Sequence, residues 1–144
     1  MKEKQVLFRT LILTFLLMVI FSACGKNSLR NCDEHSVSSC SEDPTKTNIR
    51  IKNNSKYNFC NVVFDPSSGP VNCGILKKGK TTCYRSFDTA YSIAYIQLFI
   101  GDKEFMLQPF DYVGEQPLGV GNFTYVIDVA DYDTGKITFT VQKD

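Results

Sequence analysis

Asn122-Phe123-Thr124-Tyr125-Val126-Ile127-Asp128-Val129-Ala130 places Phe123, Tyr125, Ile127 and Val129 on one face and Thr124 and Asp128 on the other. That is the period of two of a half-buried strand, because successive side chains of an extended chain point to opposite sides. Asp131 to Gly135 turns the chain, and Lys136 to Gln142 repeats the pattern with Ile137, Phe139 and Val141 inward. A short polar turn between two alternating runs predicts a hairpin whose register is held by the turn and the apolar face.

Working back from this hairpin, the same signature recurs. Ile49 and Ile51 alternate with Arg50 and Lys52. Tyr57 to Phe64 reads as a second strand, with Phe59 and Val63 on one face and Val62 and Phe64 on the other. The turn-rich Asp65-Pro66-Ser67-Ser68-Gly69-Pro70 leads to a third strand, Val71 to Leu76, and Lys77-Lys78-Gly79 leads to a fourth, Thr81 to Phe87. Ser92 to Ile100 is apolar on both faces, which predicts a central strand. Gly101-Asp102 is a two-residue hairpin signal before Lys103 to Gln108. No stretch from Asn48 onward keeps a helical period. The expectation is an all-β, antiparallel β-sandwich of about seven to eight strands over residues 48–144.

Leu76-Lys77-Lys78-Gly79-Lys80-Thr81, and Gly121-Asn122-Phe123-Thr124-Tyr125 opening a late strand, resemble patterns of bacterial Ig-like and transthyretin-like sandwiches. The second departs from the immunoglobulin pattern. Phe123 has no hydroxyl for a corner bond, and Tyr125 stands where a core cysteine would.

The chain begins differently. Lys2, Lys4 and Arg9 precede an apolar run from Thr10 to Phe21, closed by the small residues Ser22 and Ala23. This is the three-part plan of a secretory signal, and the run is short for a spanning helix. Phe21-Ser22-Ala23-Cys24 resembles the lipobox of bacterial lipoprotein precursors, although Phe21 replaces the usual Leu. The resemblance implies removal of residues 1–23 and a diacylglyceryl anchor on Cys24. It makes membrane lipid a partner through Cys24. Two or more acyl chains hold a protein stably at a membrane. Gly25, where Asp would favour the inner membrane, implies the outer membrane or cell surface. Loss of Lys2, Lys4, Arg9 and Glu3 with the signal turns the formal charge from +1 to −1. Both signs are scattered, so no basic face is implied and nucleic acid is not an expected partner.

Residues 24–47 read as the lipidated cysteine and a flexible tether. Leu29 and Val37 are its aliphatic residues, too few to offset chain entropy. As a coil of about 23 residues it would span roughly 25–30 Å. It carries Cys32, His35 and Cys40, which suggest either a metal site or a Cys32–Cys40 disulfide closing a small loop. The disulfide is preferred, because the chain has a single histidine. With Cys24 lipidated, Cys32, Cys40, Cys60, Cys73 and Cys83 remain as disulfide candidates, an odd number that leaves one thiol over. Cys73 and Cys83 are symmetric about Lys78, and Cys60 and Cys73 nearly so about Pro66, so these pairings compete.

The candidate binding loop is Pro109 to Gly121, where Phe110, Asp111, Tyr112 and Glu115 mix aromatics and carboxylates. Its competing role is to plug one end of the sandwich with Phe110, Tyr112 and Leu118. Asp111 and Glu115 form a loose carboxylate pair, and Asp131 and Asp133 a loose calcium set; neither has the spacing of a built site. No catalytic residue, metal or cofactor is expected. The functional expectation is a lipid-anchored, non-enzymatic binding or structural module with a protein or glycan ligand. The alternative is an inhibitor of a hydrolase acting through the exposed loop.

Overall fold

The structure, a computed structural model, describes Cys32 and residues 37–110 and 113–144. The lipobox with Cys24, and His35, Asp111 and Tyr112, lie outside the described residues.

Eight strands form a two-sheet sandwich: β1 Thr47–Asn53, β2 Phe59–Asp65, β3 Val71–Leu76, β4 Arg85–Phe87, β5 Tyr95–Ile100, β6 Lys103–Leu107, β7 Gly121–Asp131 and β8 Lys136–Lys143. One sheet has the order β4-β1-β7-β8 and the other β3-β2-β5-β6. The doubly apolar β5 lies between β2 and β6, as its composition predicts. The late hairpin forms with Ile127 opposite Phe139 and Val129 opposite Ile137.

Most pairs are antiparallel, but β1 runs parallel to β7, from Thr47 beside Gly121 to Asn53 beside Ile127. Alternation fixes which face is buried and carries no information on strand direction, so this pair was not readable in advance.

The inner faces interdigitate. Ile49, Ile51, Tyr125 and Ile127 from one sheet meet Phe59, Val62, Phe64, Ile96 and Leu98 from the other, all completely buried. Burial stabilises each such side chain by about 1.5–3 kcal/mol relative to exposure. Phe64 and Tyr125 stack edge to face at 6.0 Å, and Tyr125 and Phe139 at 4.9 Å. Tyr125 also donates its hydroxyl hydrogen bond to the Tyr91 carbonyl, so its polar tip is satisfied inside the core.

Two strands depart from the expected pattern. In β2, Phe59 shares the core with Val62 and Phe64, whereas simple alternation sets it beside Val63. The ladder shifts between Cys60 and Val63, and Asn61 takes a positive φ of 47°. That bulge adds one residue and reverses the parity behind it. The run Thr81 to Phe87 joins the sheet regularly only over its last three residues. Before that, the Thr82 amide donates to the Ile51 carbonyl, while the Ile51 amide donates to the Thr82 Oγ1 rather than to a backbone oxygen. The turn at Lys77-Lys78-Gly79 therefore carries the chain from one sheet to the other instead of closing a hairpin.

This crossover decides the cysteine pairing. Disulfides join Cys32 to Cys60 and Cys40 to Cys83, with Cα separations of 4.9 and 5.7 Å, and Cys73 is a buried free thiol. Of the competing pairings, Cys73–Cys83 does not form, and β3 and β4 belong to different sheets. The Cys60–Cys73 pair fails because the β2 bulge shifts the register: Gly74 lies opposite Val62 and Leu76 opposite Phe59. The local Cys32–Cys40 loop is also corrected, since both cysteines reach into the sandwich instead.

The expected tether is corrected with them from residue 37 onward. Residues 37–46 are hydrogen-bonded to the sandwich. The Ser38 amide donates to the Asn72 carbonyl beside β3 at 2.8 Å, and the Ser41 amide to the Tyr84 carbonyl before β4 at 3.0 Å. Asp43 then accepts from the Thr45 amide at 2.8 Å, and the chain enters β1 with Asn48 side-chain bonds to Asp43, Ser86 and Asn122. A segment with almost no apolar residues is thus held by backbone bonds and covalent links, which hydrophobic patterning does not register.

Candidate functional site

The strands β3 and β4 are edges of their sheets and lie on the same flank. Unpaired edge groups need cover, and residues 37–41 supply it by crossing from one edge to the other. Ser41 reinforces the far contact, its Oγ accepting from the Ser86 amide at 3.1 Å and its carbonyl from the Ser86 hydroxyl at 3.2 Å. The strap does not fill the space beneath it. A groove of about 840 Å³ remains, walled by Val37, Ser38 and the Cys40–Cys83 disulfide on one side and by Ile75, Leu76 and Lys77 on the other.

Arg85 and Cys73 lie at this groove. Arg85 is only 5% exposed, because its place in β4 has the same parity as core residue Phe87. One terminal nitrogen donates to the Ser38 carbonyl at 2.7 Å and the other to the Cys83 carbonyl at 3.3 Å. Its Nε is buried and has no partner among the described residues. No ion pair among the described residues involves this guanidinium. Burial pushes the Cys73 thiol up to about 11, and the Arg85 charge draws it back only in part. It is thus a neutral, weakly reactive thiol at ordinary pH. Lys77 and Lys80 add positive charge at the rim, and Thr81 and Thr82 add hydroxyls. Among the described residues, no carboxylate lines the groove.

Sequence reasoning missed this site. The available signal was Arg85 itself, a charge two residues before Phe87 and on the same side of a predicted strand. The strap that completes the groove carried no signal beyond its cysteines.

The loop expected to bind divides into two parts. Its second half is tied down: the Leu118 amide donates to the Ala90 carbonyl at 2.9 Å, Pro117 bridges Tyr91, and Glu115 accepts from the Ser92 hydroxyl at 3.1 Å. Leu118 packs against the core, as a plug would. Phe110 does not. It is fully exposed, and Val113 is 88% exposed. Glu115 is therefore a structural acceptor here, and the apolar tip is separate from it.

The Asp131–Asp133 pair is a turn. The Asp131 carboxylate accepts from the Asp133 amide at 2.9 Å and from the Thr134 amide at 3.3 Å. Bonds from Thr134 and Asp133 hold its carboxyl below the usual range. No cluster of three metal-ligating side chains occurs among the described residues.

No protein-family model and no curated protein sequence matches the chain. Among solved structures, the NMR structure of a protein from Eubacterium rectale superposes with a TM-score of 0.51 at 11% identity. The match covers 74% of this chain and 97% of the other. At that identity the likeness is one of fold: this chain is similar to a small β protein across nearly the whole of the latter's length.

Proposed function

We propose that this chain is a lipid-anchored protein of the bacterial outer membrane or cell surface. It serves as a non-enzymatic binding or structural module, held to membrane lipid through Cys24 and facing a protein or glycan partner. The observation that carries this reading is the signal plan ending at Ala23-Cys24. The two disulfides support it, since such bonds form and persist in oxidising compartments outside the cytosol. Cys24→Ser tests it by fractionation and by mass of the mature chain. The reading expects loss of lipid and of cleavage at this site; a variant that matures and fractionates like the wild type contradicts it.

The exposure of Phe110 and Val113 favours a second reading, inhibition of a hydrolase by the 109–121 loop. Under that reading, the protein titrated against a panel of proteases and muramidases inhibits one of them stoichiometrically, and Phe110→Ser removes the inhibition. Equal inhibition by the variant, or none by the wild type, contradicts it.

A further inference from the structure

We propose that the strapped groove binds a small carboxylate carrying an apolar body, with the carboxylate on Arg85 and the body along Val37, Ile75 and the Cys40–Cys83 disulfide. The proposal rests on reading the chain as a binding module, and names the ligand class of that module's groove.

A buried guanidinium is costly unless its charge is compensated and its donors are used. Among the described residues, Arg85 has carbonyl partners for its two terminal nitrogens and no counter-charge, and its Nε donates to nothing. The neighbouring thiol does not compensate it, because Cys73 stays protonated. Lys77 and Lys80 add charge of the same sign. Among the described residues the site is therefore electrostatically incomplete, and an oxyanion completes it. A guanidinium matches the two oxygens of a carboxylate in a planar fork.

The walls decide the rest of the ligand. Val37 is 46% exposed beside the groove, and Ile75 is half-buried. Covering them favours an anion with a hydrocarbon part over a bare inorganic one. The carboxylate meets the guanidinium where Arg85 borders the groove beside Ser38. Binding is therefore reported by the strap as well as by β3 and β4.

The test is an amide-shift titration of the full chain with butyrate, butyramide and inorganic phosphate. Butyrate is expected to give saturable shifts at Ser38, Cys73 and Arg85, with butyramide at least about tenfold weaker for want of a charge-assisted hydrogen bond and phosphate at least about tenfold weaker for want of a hydrocarbon body to bury. Arg85→Gln is expected to weaken butyrate by about tenfold or more. If that variant does not fold, the double variant Lys77→Ala/Lys80→Ala, which changes exposed residues only, is expected to weaken butyrate by about threefold at low salt. Absence of saturable shifts with butyrate on the folded wild type overturns the proposal. Equal binding of butyramide removes the role of charge, and equal binding of phosphate removes the role of the apolar wall; either overturns it. The Cys24→Ser fractionation is blind to these outcomes, so failure of the ligand and failure of the anchor are told apart.

Discussion

The two flanks of the sandwich are closed by different means. On one, β3 and β4 are bridged by residues 37–41, pinned to Cys83 by a disulfide. On the other, side chains of β6 meet the turn between β7 and β8 and the loop between β1 and β2. Phe105 and Tyr132 lie 5.6 Å apart, Tyr57 stacks on Tyr132 at 5.2 Å, and Lys103 reaches over the Tyr132 ring to donate to the Asp133 carbonyl at 2.6 Å. Aromatic rings pack across the self-closed flank. The patched flank is bonded mainly through its backbone, so it leaves a hollow and a guanidinium short of partners. An edge covered by borrowed chain can keep a groove beneath the cover.

The largest expected effect breaks the patched flank. Removing the Cys40–Cys83 bond in a Cys40→Ser/Cys83→Ser variant releases a loop with a sequence separation of 43. Chain entropy puts the loss at about 4 kcal/mol, read by denaturant titration. Amide exchange at Ser38 and Ser41 should rise in the same variant while β7 keeps its protection. A loss below about 1 kcal/mol would mean that the strap is passive.

Next comes the hairpin against which both flanks are built. Phe139 is half-buried, with its ring against Tyr125. Phe139→Ala should cost about 3 kcal/mol, the low end for aromatic truncation. Exposed Thr138→Ala should cost under about 0.5 kcal/mol. Similar losses at both positions would contradict the register. On the self-closed flank, Tyr132→Ala should cost about 1 kcal/mol, because its ring contacts are partly exposed. That modest figure, set beside the disulfide, measures how differently the flanks are held.

The smallest effect is a pH dependence on the outer face of β1 and β7. Burial alone would raise the Asp144 carboxyl. Hydrogen bonds from Tyr84 and Thr124 and the charge of Arg50 outweigh it and leave the carboxyl below its ordinary value of 3.8. A depressed carboxylate stabilises the fold above that ordinary value, and the contribution is lost as pH falls through the lower folded value. Asp144→Asn should therefore flatten the acid side of the stability profile below pH about 4 and lower stability slightly at neutral pH. Unchanged acid unfolding would remove Asp144 from the account.

The strands were legible in the sequence because apolar alternation reports burial directly: β3 is bounded as its pattern predicts, and β7 and β8 to within a residue at each end. Three features were not. Strand direction leaves no trace in alternation, so parallel β1 and β7 were unexpected. The Asn61 bulge changes parity through one backbone angle, which no side-chain pattern encodes. The strap is polar, and polarity alone reads as solvated chain. The groove follows from the strap, so it was hidden for the same reason, with Arg85 as its one visible mark.

The strap as part of the folded unit is tested most directly by disulfide mapping. The native chain is alkylated, digested without reduction and analysed by mass spectrometry. The account predicts peptides linking Cys32 to Cys60 and Cys40 to Cys83, with Cys73 alkylated only after denaturation. A Cys32–Cys40 or Cys73–Cys83 link, or ready alkylation of Cys73 in the native chain, would contradict it.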